Sequence, residues 1–306
     1  MILTVTLNAA LDLTYRVPAL SPGGTHRVSD VAERAGGKGV NVARVLHALG
    51  EPVIATGLAG GRTGERIREL LAADGVPEAF APIAGESRRT VVVADGAGAT
   101  GFWEPGPAVP AAEWTAFRRR FTGLLGVAHV VVLAGSLPDG IPADAYAVLI
   151  GLARAAGVPV VLDADGDPLR LGVAAGPDLV KPNAAELAGL LGRPVPVPTA
   201  AREVRALGAR EAVASLGGAG LVAATVDGDW RASLPHPLDG NPTGAGDACV
   251  AALARGLAHR QPWPDRLVDA VALAGSAVAA PVAGAVSISR WRRLRQAVTV
   301  CPVQEG

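Results

Sequence analysis

Lysine is nearly absent from this 306-residue chain. It occurs at Lys38 and Lys181 only, although lysine and arginine together number 28. Both lysines fall inside motifs described below, so each stands out against a surface built from arginine. Cysteine is as scarce: Cys249 and Cys301 are too few for a disulfide framework and fit a reducing compartment. Aromatics make up 4% of the residues while half are hydrophobic, which leaves Val, Leu and Ala to build the core, as in layered α/β packing. There is no charge excess, with 28 basic and 28 acidic residues, hence no electrostatic case for nucleic acid or an anionic membrane as partner. Long apolar runs are missing too. The stretch from Val268 to Val286 is broken by Asp269, Gly275, Ser276, Pro281 and Gly284, and reads as a buried helix and a loop. Asn8, Asp12 and Arg16 interrupt the first 25 residues, so no signal-peptide core is present and a cytoplasmic location is expected.

Several chemistries are excluded by position. The five histidines have no metal-site spacing, and no G-x-S-x-G elbow occurs. Asp163 to Asp167 opens like a calcium loop, but Pro168 and Ala174 replace the required Gly and Glu. Ala59 to Gly64 approximates a dinucleotide fingerprint without the acidic residue that should follow, and is read as the loop after the second strand.

The remaining pattern predicts an α/β fold at a length that suits one large domain. Strands are expected at 2–7, 53–58, 129–134, 158–162, 178–180 and 212–216, and helices at 39–49, 65–74, 113–125, 143–156 and 265–280. The continuous apolar run Val130 to Leu133 is what a parallel sheet covered on both faces requires. Residues 12–17 alternate, and Thr90–Ala94 and Thr100–Trp103 flank the turn Asp95-Gly96-Ala97-Gly98. These predict a small antiparallel sheet projecting from the main layer. The Pro-dense segment Arg193 to Thr199 is read as a loop.

Chemistry concentrates in a few passages. Asn241-Pro242-Thr243-Gly244-Ala245-Gly246-Asp247-Ala248 runs small residues into a helix-competent segment. Its glycines allow successive amides to face one concavity, and the helix start adds its free amides and dipole. Asp247 is the carboxylate placed to take a proton from an attacking hydroxyl there. Gly36-Gly37-Lys38-Gly39-Val40-Asn41 offers close backbone approach, one charge and one amide side chain. It is not a P-loop, because Ala32 and Gly39 occupy positions that require Gly and Ser/Thr. Asn8 and Asp12 follow the first strand, where ligand groups gather in α/β proteins. Arg88 and Arg89 carry the planar donor fork suited to phosphate, though read alone both are solvated surface arginines.

These passages resemble the ribokinase-like (PfkB) carbohydrate kinases. The octet ending at Ala248 matches the family's catalytic signature, and Gly36 to Asn41, with Thr6 to Asp12, matches the branch acting on ketose phosphates, 1-phosphofructokinase and tagatose-6-phosphate kinase. The resemblance implies a ribokinase-like three-layer fold with a central mostly parallel sheet and a small β-sheet lid at about 9–32 and 86–106. It implies Asp247 as base, with the Gly244, Ala245 and Gly246 amides as anion hole. Substrate would meet Asn8, Asp12, Gly36, Gly37, Lys38, Asn41, Arg88 and Ser136, with Lys38 and Arg88 on its existing phosphate. ATP would meet Lys181, Asn183, Ser215, Gly217, Gly220 and Thr243, beside the Ala-rich helix near 270–280. Asn183 and Glu186 would order Mg²⁺ through water. The implied reaction is ATP-dependent phosphorylation of fructose 1-phosphate or tagatose 6-phosphate, in a protein that forms a homodimer through the lid. Ala9 replaces the family's Pro, Thr90 an Asn, and Gly101 and Trp103 a Glu and an Asn. Those departures in the lid keep two alternatives open: a kinase for an unphosphorylated sugar, nucleoside or specialised metabolite, and a non-catalytic sensor of sugar phosphate or nucleotide.

Overall fold

The computed structural model describes residues 1–96, 98–280 and 282–303, so Ala97 of the expected turn and Pro281 of the interrupted apolar run lie outside the described residues. In chain order the elements are β1 (Ile2–Thr6), β2 (Ala10–Arg16), β3 (Asp30–Gly36), α1 (Lys38–Ala48), β4 (Val53–Gly60), α2 (Gly61–Ala73), β5 (Ala81–Ile83), β6 (Arg88–Ala94) and β7 (Ala99–Trp103). Then follow α3 (Ala111–Leu125), β8 (Val130–Ala134), α4 (Ala145–Ala155), β9 (Val160–Asp163), α5 (Gly166–Ala174), β10 (Leu179–Val180), α6 (Ala184–Leu191), α7 (Val197–Ala206) and β11 (Glu211–Ser215). The chain finishes with β12 (Leu221–Thr225), β13 (Gly228–Ser233), α8 (Ala245–Ala258), α9 (Trp263–Val278), α10 (Ile288–Arg295) and β14 (Thr299–Pro302).

The large sheet runs β14-β13-β12-β11-β10-β9-β8-β1-β4-β5. It is parallel from β11 across to β5 and antiparallel from β11 outward to β14. Every residue of β8 is buried, and its side chains alternate between two cores. Val130 and Val132 join the core under α1, α8 and α9, while Val131 and Leu133 join the one under α3, α4 and α7. Each such fully buried Val or Leu contributes roughly 1.5–3 kcal/mol, and an all-apolar strand satisfies both layers at once.

Sequential connection moves outward in both directions from the β1–β8 pair: β1 leads to β4 and β5, and β8 leads to β9, β10 and β11. That reversal opens a crevice beyond the carboxyl ends of β1 and β8, where open α/β sheets bind ligands.

The second sheet runs β3-β2-β6-β7, with β2 parallel to β6 and both edges antiparallel. A separate small sheet was expected, but it is mixed and not antiparallel, because β2 and β6 are joined by a long crossover and not by a hairpin, and it extends to Gly36, past residue 32. The full length of Asp30–Gly36 pairs with Ala10–Arg16. Two further expectations change. Gly60 ends β4 and Gly61 opens α2, so Ala59 to Gly64 is a direct strand-to-helix junction with no loop. The Pro-dense segment is half helix: α7 starts at Val197 with Pro198 in its first turn, where a missing N–H costs nothing. Among the described residues no helix is long and apolar enough to cross a membrane.

Candidate active site

A cavity of about 890 Å³ lies where the small sheet faces the crevice. At its floor α8 begins. Gly244 takes a left-handed conformation (φ 84°), and a Cβ there would stand 2.9 Å from Ala283 Cα, so only glycine lets the 282–284 segment close on the helix start. Among the described residues the amides of Gly246 and Asp247 have no backbone acceptor, unlike those of Ala245 and Ala248. The Asp247 carboxylate is buried and accepts a 2.8 Å hydrogen bond from Asn41 Nδ2 on α1. Burial, reinforced by the Asp163 charge, lifts its pKa to about 6 against the opposing pull of Asn41, Lys38 and Lys181. A carboxyl poised there is ionised at neutral pH yet basic enough to accept a proton.

Around it stands a charged cluster. Asp163, the last residue of β9, is 1% exposed and receives Lys181 Nζ at 3.3 Å and Lys38 Nζ at 3.5 Å. Lys38 also lies 4.0 Å from Glu186. Lys38 thus pairs with carboxylates beside the start of α8, and it lines the same cavity as Arg88. Burial opposes the Lys181 ammonium, and the carboxylates of Asp163 and Glu186 more than reverse that, so it titrates above the ordinary lysine range.

The opposite wall is the inner face of the small sheet. Arg88 Nε donates to Asn8 O at 3.1 Å, and its Nη1 lies 3.4 Å from Glu104 O. Asn8 Nδ2 donates to Pro105 O and to Ser136 Oγ, at 3.0 and 3.2 Å, joining the ends of β1, β7 and β8. Thr90 Oγ1 donates to Asp12 Oδ1. Burial raises the Asp12 pKa, and that hydrogen bond and Arg88 restrain the rise. Gly37 (φ 103°) precedes α1 with its Cα so close to Thr6 that a Cβ would lie 2.7 Å from Thr6 Cγ2. Of the expected substrate and catalytic residues, Asn8, Asp12, Gly37, Lys38, Asn41, Arg88, Ser136, Gly244, Gly246 and Asp247 line this one cavity, as does Thr243. Gly36 packs behind the Asp12 carboxylate, and Ala245 is the first residue of α8.

The pfkB family of carbohydrate kinases matches residues 4–289. The chain belongs to that family. Phosphofructokinase-2 from Escherichia coli, solved in complex with potassium, is 30% identical over 96% of this chain and 98% of its own, with a TM-score of 0.90. A possible 1-phosphofructokinase from Thermotoga maritima is 26% identical over 99% of both chains, with a TM-score of 0.88. Ribokinase from Arabidopsis thaliana, at 20% identity over 96% and 98% and a TM-score of 0.74, shares the fold. As a pfkB kinase the protein is an enzyme that transfers a phosphoryl group to a sugar hydroxyl, with ATP as the family's co-substrate.

The residues expected at the nucleotide gather separately. Asn183 caps α6 and shares a capping box with Glu186: Glu186 N donates to Asn183 Oδ1 at 2.9 Å, and Asn183 N to Glu186 Oε2 at 2.8 Å. Asn183 bridges Ser215 at the end of β11, and Gly217 and Gly220 form the tight turn that follows. None of these lines the cavity. Lys181 reaches it from beneath, since a Cβ on Gly246 would lie 3.8 Å from Lys181 Nζ. One residue of this pfkB site escaped the sequence reading. Asp163 was weighed only as part of a failed calcium loop, although a carboxylate ending an apolar run, at the carboxyl end of a parallel strand, was itself a signal.

Proposed function

We propose that this kinase transfers the γ-phosphoryl group of ATP to a free hydroxyl of a ketose phosphate. Fructose 1-phosphate, giving fructose 1,6-bisphosphate, is the first choice and tagatose 6-phosphate the second. The observation that carries this reading is the placement of Asp247 on Asn41 at one end of the cavity with Arg88 and Asp12 on its opposite wall. A base and an anion hole thus face a guanidinium and a hydroxyl acceptor across one space.

In the reaction Asp247 accepts the proton of the attacking hydroxyl, and Asn41 holds the carboxylate oxygen in line. Charge developing on the moving group meets the Gly246 and Asp247 amides, the α8 dipole, and Lys38 and Lys181. Asp163 and Glu186 supply the hard oxygen donors that a Mg²⁺ site needs: both are carboxylates drawn to the same Lys38 ammonium, at 3.5 and 4.0 Å. They would hold the ion largely through water, and its contribution is to neutralise phosphate charge. The lid excludes water that would compete as acceptor. Half-exposed Val31 and Phe102 on the small sheet support a homodimer formed through the lid.

ADP release with ATP and Mg²⁺ across fructose 1-phosphate, fructose 6-phosphate, tagatose 6-phosphate and the free sugars tests the reading. Preference for one ketose phosphate supports it. Preference for a neutral acceptor would replace it with the alternative that Gly101 and Trp103 favour, a kinase for an unphosphorylated ligand. Arg88→Ala is expected to raise KM for the phosphorylated acceptor roughly 10–100-fold, the loss of a charge-assisted forked contact, with KM for ATP little changed. An equal loss on a free sugar would show that Arg88 serves only the hinge carbonyls of Asn8 and Glu104.

A further inference from the structure

Cross-strand register places four different chemistries in one row of the lid. Arg34 of β3 pairs with Asp12 of β2, Asp12 with Thr90 of β6, and Thr90 with Trp103 of β7. Residues in register share a face of the sheet, and all four line the cavity. The row therefore presents a cation, a carboxylate, a hydroxyl and an indole, in that order, to whatever the lid covers. The next row outward, Thr14, Val92 and Gly101, carries no charge.

Trp103 is 68% exposed, the largest apolar side chain left to solvent on this face. Its position depends on Gly101, two residues earlier on the same face. A Cβ there would collide with the outer edge of the six-membered ring, against Cη2 and 2.7 Å from Cζ2. The indole thus rests its outer edge over the Gly101 backbone and lines the cavity. A sugar ring has hydroxyls at its edge and C–H groups on its faces. Asp12 and Thr90 suit the edge, and a flat apolar surface beside them suits the face.

We infer that Trp103, seated on Gly101, is the stacking platform for the acceptor's ring and selects a closed-ring sugar phosphate over an open-chain polyol phosphate. This rests on the proposed acceptor reading. It makes the two departures from the branch pattern one device: the glycine exists to admit the indole.

The test is steady-state kinetics on the full-length enzyme with the ketose phosphate that the wild type prefers, together with sedimentation velocity. Trp103→Ala is expected to raise the acceptor KM about tenfold, Trp103→Phe to stay within about threefold of wild type, and Gly101→Ala to follow Trp103→Ala, because the new Cβ displaces the ring. KM for ATP stays put, and glucitol 6-phosphate, an open-chain competitor, binds Trp103→Ala as weakly as wild type. An acceptor KM for Trp103→Ala within twofold of wild type overturns the inference. So does a KM change that appears only with a change of subunit state, which would make the ring a contact between copies of the chain. A wild-type enzyme silent on every ketose phosphate overturns the acceptor reading itself, and the inference falls with it.

Discussion

Asp247→Asn is expected to lower kcat about 10²–10⁴-fold, the contribution of a positioned base, with little change in the affinity for ATP. The substitution is nearly isosteric, and the new carboxamide can still present an oxygen to Asn41 Nδ2, which lies 2.8 Å from the native carboxylate. What disappears is the proton acceptor. ADP release at saturating substrates measures the effect, and turnover near the wild-type value would remove Asp247 from that role. The wild type carries a second signature. With its carboxyl titrating at about 6, kcat/KM should fall tenfold per unit as the pH drops below that value, and the residual activity of Asp247→Asn should lack this limb.

The same carboxyl makes a statement about stability. Its folded pKa is about 6 against an ordinary 3.8, so the ionised form is the one the fold disfavours. The penalty is present above pH 6 and vanishes as the pH falls from 6 toward 4. Asp247→Asn should accordingly be more stable than wild type at pH 8, by up to about 3 kcal/mol, and the gain should shrink to nothing near pH 4. Thermal unfolding at the two pH values checks it. A less stable variant at pH 8 would mean that the ionised carboxylate holds α8 in place.

The sequence carried the active-site end of this molecule more fully than its far edge, for physical reasons. The Gly244–Asp247 passage is legible because a left-handed turn with a close backbone approach at a helix start demands small residues. β8 is legible because a strand buried on both faces cannot afford a polar residue. The segments α5, α6, α7 and α10 and the strands β3, β5 and β12 to β14 were not placed. On β13 only Ala232 is buried, and on β14 no residue is, so these short edge strands lack the apolar face whose alternation would mark them. The carboxylate partners of Lys38 were not legible in the sequence. The structure shows that two carboxylates from distant parts of the chain, Asp163 and Glu186, determine where its ammonium goes. Long-range partners of this kind leave no periodic trace.

Asp163→Ala is expected to be the most damaging single change to the fold near the site. Lys181 is 4% exposed and Asp163 1%, and the 3.3 Å between them is a contact from which water is largely excluded. Removing the carboxylate leaves a buried ammonium facing a second lysine with only Asp247 and Glu186 to balance them. Breaking one side of such a pair costs about 3–5 kcal/mol, or roughly 5–15 °C in Tm for a chain of this size. Because much of that cost is the stranded charge, Asp163→Ala with Lys181→Met should recover a large part of it, and the double-mutant cycle separates the pair from the packing. The kinetic consequence runs in the opposite sense from the base mutant. Without the negative charge of Asp163 the Asp247 carboxyl loses one of the two causes that raise it, so the acid limb of the pH profile should move to lower pH. A Tm within about 2 °C of wild type, joined to an unmoved acid limb, would show that Asp163 neither anchors the lysines nor tunes the base, and would return it to the role of an ordinary strand end.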